Sequence, residues 1–335
     1  MKKIFALKTS IMNRLSIVLV AVIAVLLGLI IYGSQREVST PRNTDKLTSV
    51  KDTSQAQTGD LISTSSPNIP QIVIPGPVGG RLKAIVELGS DGFNYFIVEI
   101  DGKKDWELVK PVYNASLSKE NILKESGLVM GLRNFIREIV NFGVESADVH
   151  FAVSSGAQKN ENIVRYIEGL KELGYIVNAV DYQKEAESAW LAAVPKSLRE
   201  ESFVVDIGSG NTKVAWLIDG KLNTRETYGS KYYEDGISDH EVVKAVNSIA
   251  VRIPVGNTSY CFIIGGVPYN MSKKTKIGNE RFTYFQEAST YQLEGKKNSS
   301  GLKIYDAFRR TTRCEKYIFD SHANFTIGYL LSLPY

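Results

Sequence analysis

The sequence predicts an α/β molecule of two similar lobes with a cleft between them, preceded by one membrane-spanning helix. Three observations predict it. A hairpin pattern with a glycine corner occurs twice, at residues 84–103 and 202–221. An order of strands and helices follows the first copy and restarts after the second. An apolar run at residues 15–32 precedes both.

That run is eighteen residues long with Ser16 as its polar side chain, enough to cross a hydrocarbon core as a helix. Lys2, Lys3, Lys8 and Arg14 precede it, and it ends in Ile30, Ile31 and Tyr32. A cleaved signal peptide has a shorter apolar core and a small-x-small site, so the run reads as an uncleaved anchor. The basic tail favours an extracytoplasmic domain. Arg36, Arg42, Lys46 and Lys51 beyond the span weaken that asymmetry, and the side stays open. Ser, Thr, Gln, Asp and Pro dominate residues 35–80, which read as a flexible tether. The expected division is a basic tail at 1–14, an anchor at 15–32, a tether at 33–80, a first lobe at 81–196 and a second at 197–335.

In the second hairpin, Phe203, Val204 and Val205 lead to Asp206; Gly208, Ser209 and Gly210 then turn the chain into a return strand. The first has the same plan, with Glu87 as its acid and Gly89, Ser90, Asp91 and Gly92 at the corner. Glycine lets a corner approach a ligand closely and converge its N–H groups on an anion. An acid at the strand end suits a hydrated divalent metal beside phosphate oxygens. Either copy alone also fits a plain hairpin. Two copies suggest two lobes gripping one polyanion.

After the first hairpin come a strand at 106–112, a helix from a Ser118 cap to about Phe142, and a strand at 149–154. A helix at 160–173, a strand at 175–180 and a helix at 183–194, stopped by Pro195, complete this half. The second half restarts with strands at 203–208, 212–218 and 222–228, a helix at 238–252 and a strand at 260–264. Gly265 and Gly266 follow, and the tail at 303–331 reads as helical or mixed.

A formal net charge of +4, with no block of basic residues interleaved with aromatics, argues against nucleic acid as a partner. Cys261 and Cys314 lie far apart without metal-ligand spacing, which argues against a disulfide framework and a zinc site. His150, His240 and His322 form no constellation.

The motif order resembles the exopolyphosphatase and guanosine pentaphosphate phosphatase family, within the superfamily of actin, sugar kinases and heat-shock-70 ATPases. GSDG at 89–92 is similar to that family's D-x-G-S-N-S hairpin, and DIGSGNTK at 206–213 to its D-I-G-G-G-S-T-E hairpin. AVSSGAQKNENIVRYI, AVDYQKEAESAWLAAV, the Gly265-Gly266 pair and the ending FDSHANFTIGYLL follow in the family's order. The resemblance spans about residues 83–335. It implies two actin-like (ribonuclease H-like) lobes and hydrolysis of terminal phosphoanhydride bonds of polyphosphate or guanosine pentaphosphate, with Mg²⁺ as cofactor. It also implies Glu185 as the carboxylate acting on water, Glu87 and Asp206 as metal-holding acids, and phosphate binding by three groups of residues. These are Gly89, Ser90, Asp91 and Gly92 with Ser154 and Ser155; Gly208, Ser209, Gly210, Asn211, Thr212 and Lys213; and Gly265 with Gly266.

Several positions depart from the family pattern. Glu87 is one methylene longer than the usual Asp, and Lys213 stands where the family has a carboxylate. Gln158 is nearest to an expected Arg, while Lys184 and Glu187 replace Glu and Arg around Glu185. Two functions from different classes therefore follow. One is a membrane-anchored phosphatase; the other is a catalytically weakened binder of polyphosphate or a guanine or adenine nucleotide, or a scaffold, at the membrane. An actin-like assembly ATPase shares the fold, and a homodimer or a membrane-protein partner stays open.

Overall fold

Each half is built on a central strand that is apolar on both faces, so each needs cover from two sides. A computed structural model describes residues 72–335, apart from 90–91, 116–124, 159–160, 277 and 315. The expected basic tail, the anchor at 15–32, the tether up to residue 71 and the Ser118 cap lie outside the described residues. Among the described residues no helix is long and apolar enough to cross a membrane.

The first sheet contains β1 (Arg81–Gly89), β2 (Gly92–Ile100), β3 (Trp106–Ala115), β4 (Val149–Val153) and β5 (Val177–Ala179), in the order β3-β2-β1-β4-β5. The second contains β6 (Ser202–Ile207), β7 (Asn211–Ile218), β8 (Lys221–Tyr228), β9 (Tyr260–Ile264), β10 (Phe282–Phe285) and β11 (Lys316–Asp320), in the order β10-β11-β9-β6-β7-β8. In both, the first two strands form an antiparallel hairpin and the first strand pairs in parallel with the strand after the next helix. The repeat seen in the sequence is thus a repeat of topology.

The outer face of the first sheet packs under α1 (Glu125–Asn141) and α2 (Glu161–Glu172) through Leu132, Ile136, Ile163 and Leu170 against Ala84, Val86 and Leu88. That of the second packs under α4 (Asp239–Ala250), α5 (Gly266–Thr275) and α6 (Lys296–Thr312), with Val246, Met271 and Phe308 against Phe203 and Val205. The inner faces are covered by α3 (Tyr182–Ala193) and the C-terminal α7 (Phe325–Ser332). Ala186, Ala189 and Ala193 of α3 meet Val204 of the second sheet. Ile327, Leu330 and Leu331 of α7 meet Ile85 and Phe96 of the first.

Helix starts follow the capping rules where a polar side chain leads. The Asp181 side chain accepts the Lys184 N–H, and the Ser238 side chain accepts the Glu241 N–H. The tail expected to be helical or mixed resolves into α6, β11 and α7, while α5 and β10 add an element pair that the periodicity did not show. The strand expected at 175–180 is three residues long, Val177–Ala179, pairing with Phe151–Val153 of β4.

Candidate functional site

The two hairpins place their acids at equivalent register positions. Glu87 pairs across its hairpin with Asn94, and Asp206 pairs across its own with Lys213. Directly opposed residues share a face of the sheet, so each acid gains the neighbour that its partner strand supplies. In the first lobe that neighbour is a neutral amide; in the second it is an ammonium.

Both hairpins open onto one cleft of about 230 Å³. Glu87, Gly89, Ser154 and Gly156 line it from the first lobe; Asp206, Gly208, Ser209, Gly210, Asn211, Lys213, Gly265 and Gly266 line it from the second. The lobes touch at its floor. A Cβ built on Gly156 would lie 3.8 Å from the Gly210 Cα, and Asn211 Nδ2 donates to Ser155 Oγ at 3.2 Å.

The second corner is braced from behind. The carbonyls of Gly208, Ser209 and Gly210 accept the N–H groups of Ser230, Lys231 and Gly229. A trans peptide points its N–H opposite its C=O, so the N–H groups of Ser209 and Gly210 point away from the bracing segment, and both residues line the cleft. Gly229 permits the brace, since any Cβ there would lie 2.4 Å from atoms of Ser209, Gly210 and Asn211. Gly265, at φ 111°, turns β9 into α5 where a Cβ would strike the Ile207 carbonyl oxygen at 2.3 Å. The amino end of α5 thereby faces the same cleft, with the partial positive charge of a helix start.

Behind the corner lies a buried cluster of charge. Lys213 Nζ sits 2.5 Å from Glu185 Oε2, with Lys213 5% and Glu185 0% exposed. Glu185 Oε1 accepts the Ser155 N–H at 2.5 Å and Oε2 accepts the Ser155 hydroxyl at 3.2 Å. Glu87 Oε2 accepts from Asn94 Nδ2 at 3.0 Å and from Asn324 Nδ2 at 3.4 Å. Burial pushes the Glu185 carboxyl up from its ordinary range, and the Lys213 charge and the Ser155 N–H offset this only in part. Asp206 and Glu87 also rise through burial; Lys213 draws Asp206 back, and the Asn94 amide does so for Glu87. Burial draws the Lys213 ammonium down, but Asp206, Glu185 and Glu87 together outweigh it and hold the pKa above 10.5. One buried ammonium therefore sits in the field of the buried Glu185 and Asp206 and the half-buried Glu87.

This donor set does not fit the expected divalent metal. Glu87 and Asp206 were to hold Mg²⁺, but the field between the carboxylates is filled by Lys213 Nζ, and Glu87 is held by two side-chain amides. A cation at that point would meet an ammonium. Among the described residues no group of three acids, histidines or cysteines is arranged to hold a metal.

Other expected residues fall in different places. Ser90 and Asp91 lie outside the described residues. Thr212, expected to bind phosphate, is fully buried and its hydroxyl donates to the Tyr228 carbonyl. Ser155 faces Glu185 rather than the cleft. Glu185 lies behind Ser155 and Lys213, sealed from solvent. Gln158 donates to the Val180 carbonyl, and Lys184 pairs with Glu187 on the surface at 3.5 Å, so these departures lie apart from the cleft chemistry. The sequence reading missed Asn94, Asn324, Lys297 and the Tyr113–Tyr269 stack, all lining the cleft. Only Asn94 carried a signal, its register match with Lys213.

No protein-family description and no curated protein matches this sequence. Solved structures do. A Ppx/GppA family member from Aquifex aeolicus is 14% identical at a TM-score of 0.56, covering 75% of this chain and 96% of its own. An exopolyphosphatase from Cytophaga hutchinsonii is 13% identical at 0.56, again over 75% and 96%. An exopolyphosphatase-like protein is 14% identical at 0.56 with the same coverage. The chain has the two-lobed, actin-like fold of the Ppx/GppA exopolyphosphatases.

Proposed function

We propose that this chain binds the terminal phosphates of polyphosphate, or of a nucleotide, in the interlobe cleft, as a catalytically weakened relative of the phosphatases whose fold it shares. The observation that carries this reading is convergence. The braced corner at Gly208, Ser209 and Gly210, the amino end of α5 and the Lys213 ammonium all address one small cleft. Its volume lies below the roughly 300–1,000 Å³ of pockets that enclose a drug-sized ligand, which suits a few phosphates better than a whole nucleotide.

Weak turnover follows from Glu185. A general base needs reach to the attacking water as well as a suitable pKa. Both Glu185 oxygens are already engaged, and Ser155 and Lys213 stand between it and the cleft. The membrane-spanning reading of residues 15–32 would tether this chain to a bilayer. A reporter fused to the C-terminus would give the side.

Calorimetry with tripolyphosphate tests the binding, and phosphate release from polyphosphate tests the turnover. Saturable binding with no release above background is expected. A steady release that Glu185→Gln abolishes would overturn the weakened reading in favour of a working phosphatase; absence of binding would reject the cleft as a phosphate site.

A further inference from the structure

We infer that Lys213 is a built-in cation that takes the place of a divalent metal, so that the cleft takes the metal-free form of its phosphate ligand. This rests on the phosphate-binding reading above and specifies its ligand. The ammonium lies among the acids that would otherwise be expected to hold a metal. It lies on the strand directly opposite Asp206, is bonded to Glu185, and is held by the combined field of Asp206, Glu185 and Glu87. It also reaches the anion-binding corner, since a Cβ on Gly208 would lie 3.3 Å from Nζ. It is tethered by its own side chain and buried on most sides, so it cannot leave as a metal ion can.

The physical consequence concerns competition. A metal-dependent phosphate site binds a metal–phosphate complex, and the metal bridges carboxylates to phosphate oxygens. Here the carboxylates are neutralised from within, and an incoming Mg²⁺–polyphosphate complex would bring a second positive charge against Lys213. Free polyphosphate meets the ammonium and the turned N–H groups directly. Mg²⁺ in solution should therefore weaken binding by sequestering the free ligand, the reverse of a metal-dependent site. Removing the ammonium should uncover the carboxylates and create affinity for a divalent cation that the natural chain lacks.

Two measurements on the full chain test this. Titration with tripolyphosphate in EDTA should give affinity equal to or tighter than in millimolar Mg²⁺, and Lys213→Gln should weaken the EDTA value at least tenfold. Thermal unfolding with Mg²⁺ or Mn²⁺ alone should leave the natural chain unmoved and raise the melting temperature of Lys213→Gln by several degrees. If that variant does not fold, Lys213→Gln with Glu185→Gln removes both partners of the buried pair and takes its place. Binding that needs Mg²⁺, or a metal-induced shift in the natural chain, would overturn the inference while leaving the phosphate site intact. Absence of tripolyphosphate binding under both conditions would reject the site itself, and the inference with it.

Discussion

At the scale of single residues, the decisive feature is that one buried ammonium pairs with the buried Glu185 and lies in the field of the buried Asp206 and the half-buried Glu87. Removing one member of a buried ion pair leaves an uncompensated charge and costs about 3–5 kcal/mol, whereas removing both is far cheaper. Lys213→Met should lose stability in that range by urea denaturation, and Lys213→Met with Glu185→Gln should recover a large part of it; additive losses would show that the two do not act as a pair. The pH dependence has a defined sign. Glu87 and Asp206 have folded pKa values above their ordinary 4.5 and 3.8, so at these two sites the native state holds protons more tightly than the unfolded chain. The stability they contribute is full below the ordinary carboxylate range and is lost as pH rises through the raised values. Lys213, also raised, contributes below 10.5 and is lost in more alkaline solution. The urea midpoint of the natural chain relative to that of Glu87→Gln should fall as pH rises from acid to neutral; a difference that stays constant with pH would remove Glu87 from the account.

At the scale of elements, the corner is shaped by a neighbour rather than by its own sequence. Gly229 begins the segment that braces the carbonyls of Gly208, Ser209 and Gly210, and its hydrogen has no room to become a methyl group. Gly229→Ala should cost about 1–3 kcal/mol, the usual range for overpacking, and should abolish tripolyphosphate binding by shifting the corner. Gly256→Ala is the matched control, because its Cβ would meet nothing within 4 Å and the residue lies outside the cleft lining; it should keep both stability and binding. The corners themselves were legible in sequence because glycine follows the acid at one spacing in each hairpin, and the central strands β6 and β9 because apolar residues run through them. The elements α5 and β10 were not, and α6 was read only as part of a helical or mixed tail. Helices α5 and α6 start at Gly265 and Gly295 without a side-chain cap, and β10 is a four-residue strand at the sheet edge. Asn324 was invisible for a different reason: it reaches Glu87 from 237 residues away, and no local pattern encodes that contact.

At the scale of the whole molecule, the lobe boundary suggested by the repeat does not divide the packing. Helix α3 belongs in sequence to the first half and covers the inner face of the second sheet, while α7 belongs to the second half and covers the first. The two helices cross so closely that a Cβ on Gly328 of α7 would lie 1.7 Å from the Ser188 carbonyl oxygen of α3. Each sheet thus depends on a helix that the other half of the chain supplies, and neither inner face stays buried if the crossing opens. That arrangement should make residues 72–335 unfold as one cooperative unit. Gly328→Ala forces α7 off α3, so it should destabilise by about 3 kcal/mol or more, at or beyond the upper end of ordinary overpacking costs. The loss should register equally in both lobes. Hydrogen exchange in β1 and β6, the central strands of the two sheets, reports on each lobe separately: parallel acceleration in both is expected, whereas acceleration confined to β1 would mean that the lobes fold independently and that the shared middle layer does not couple them.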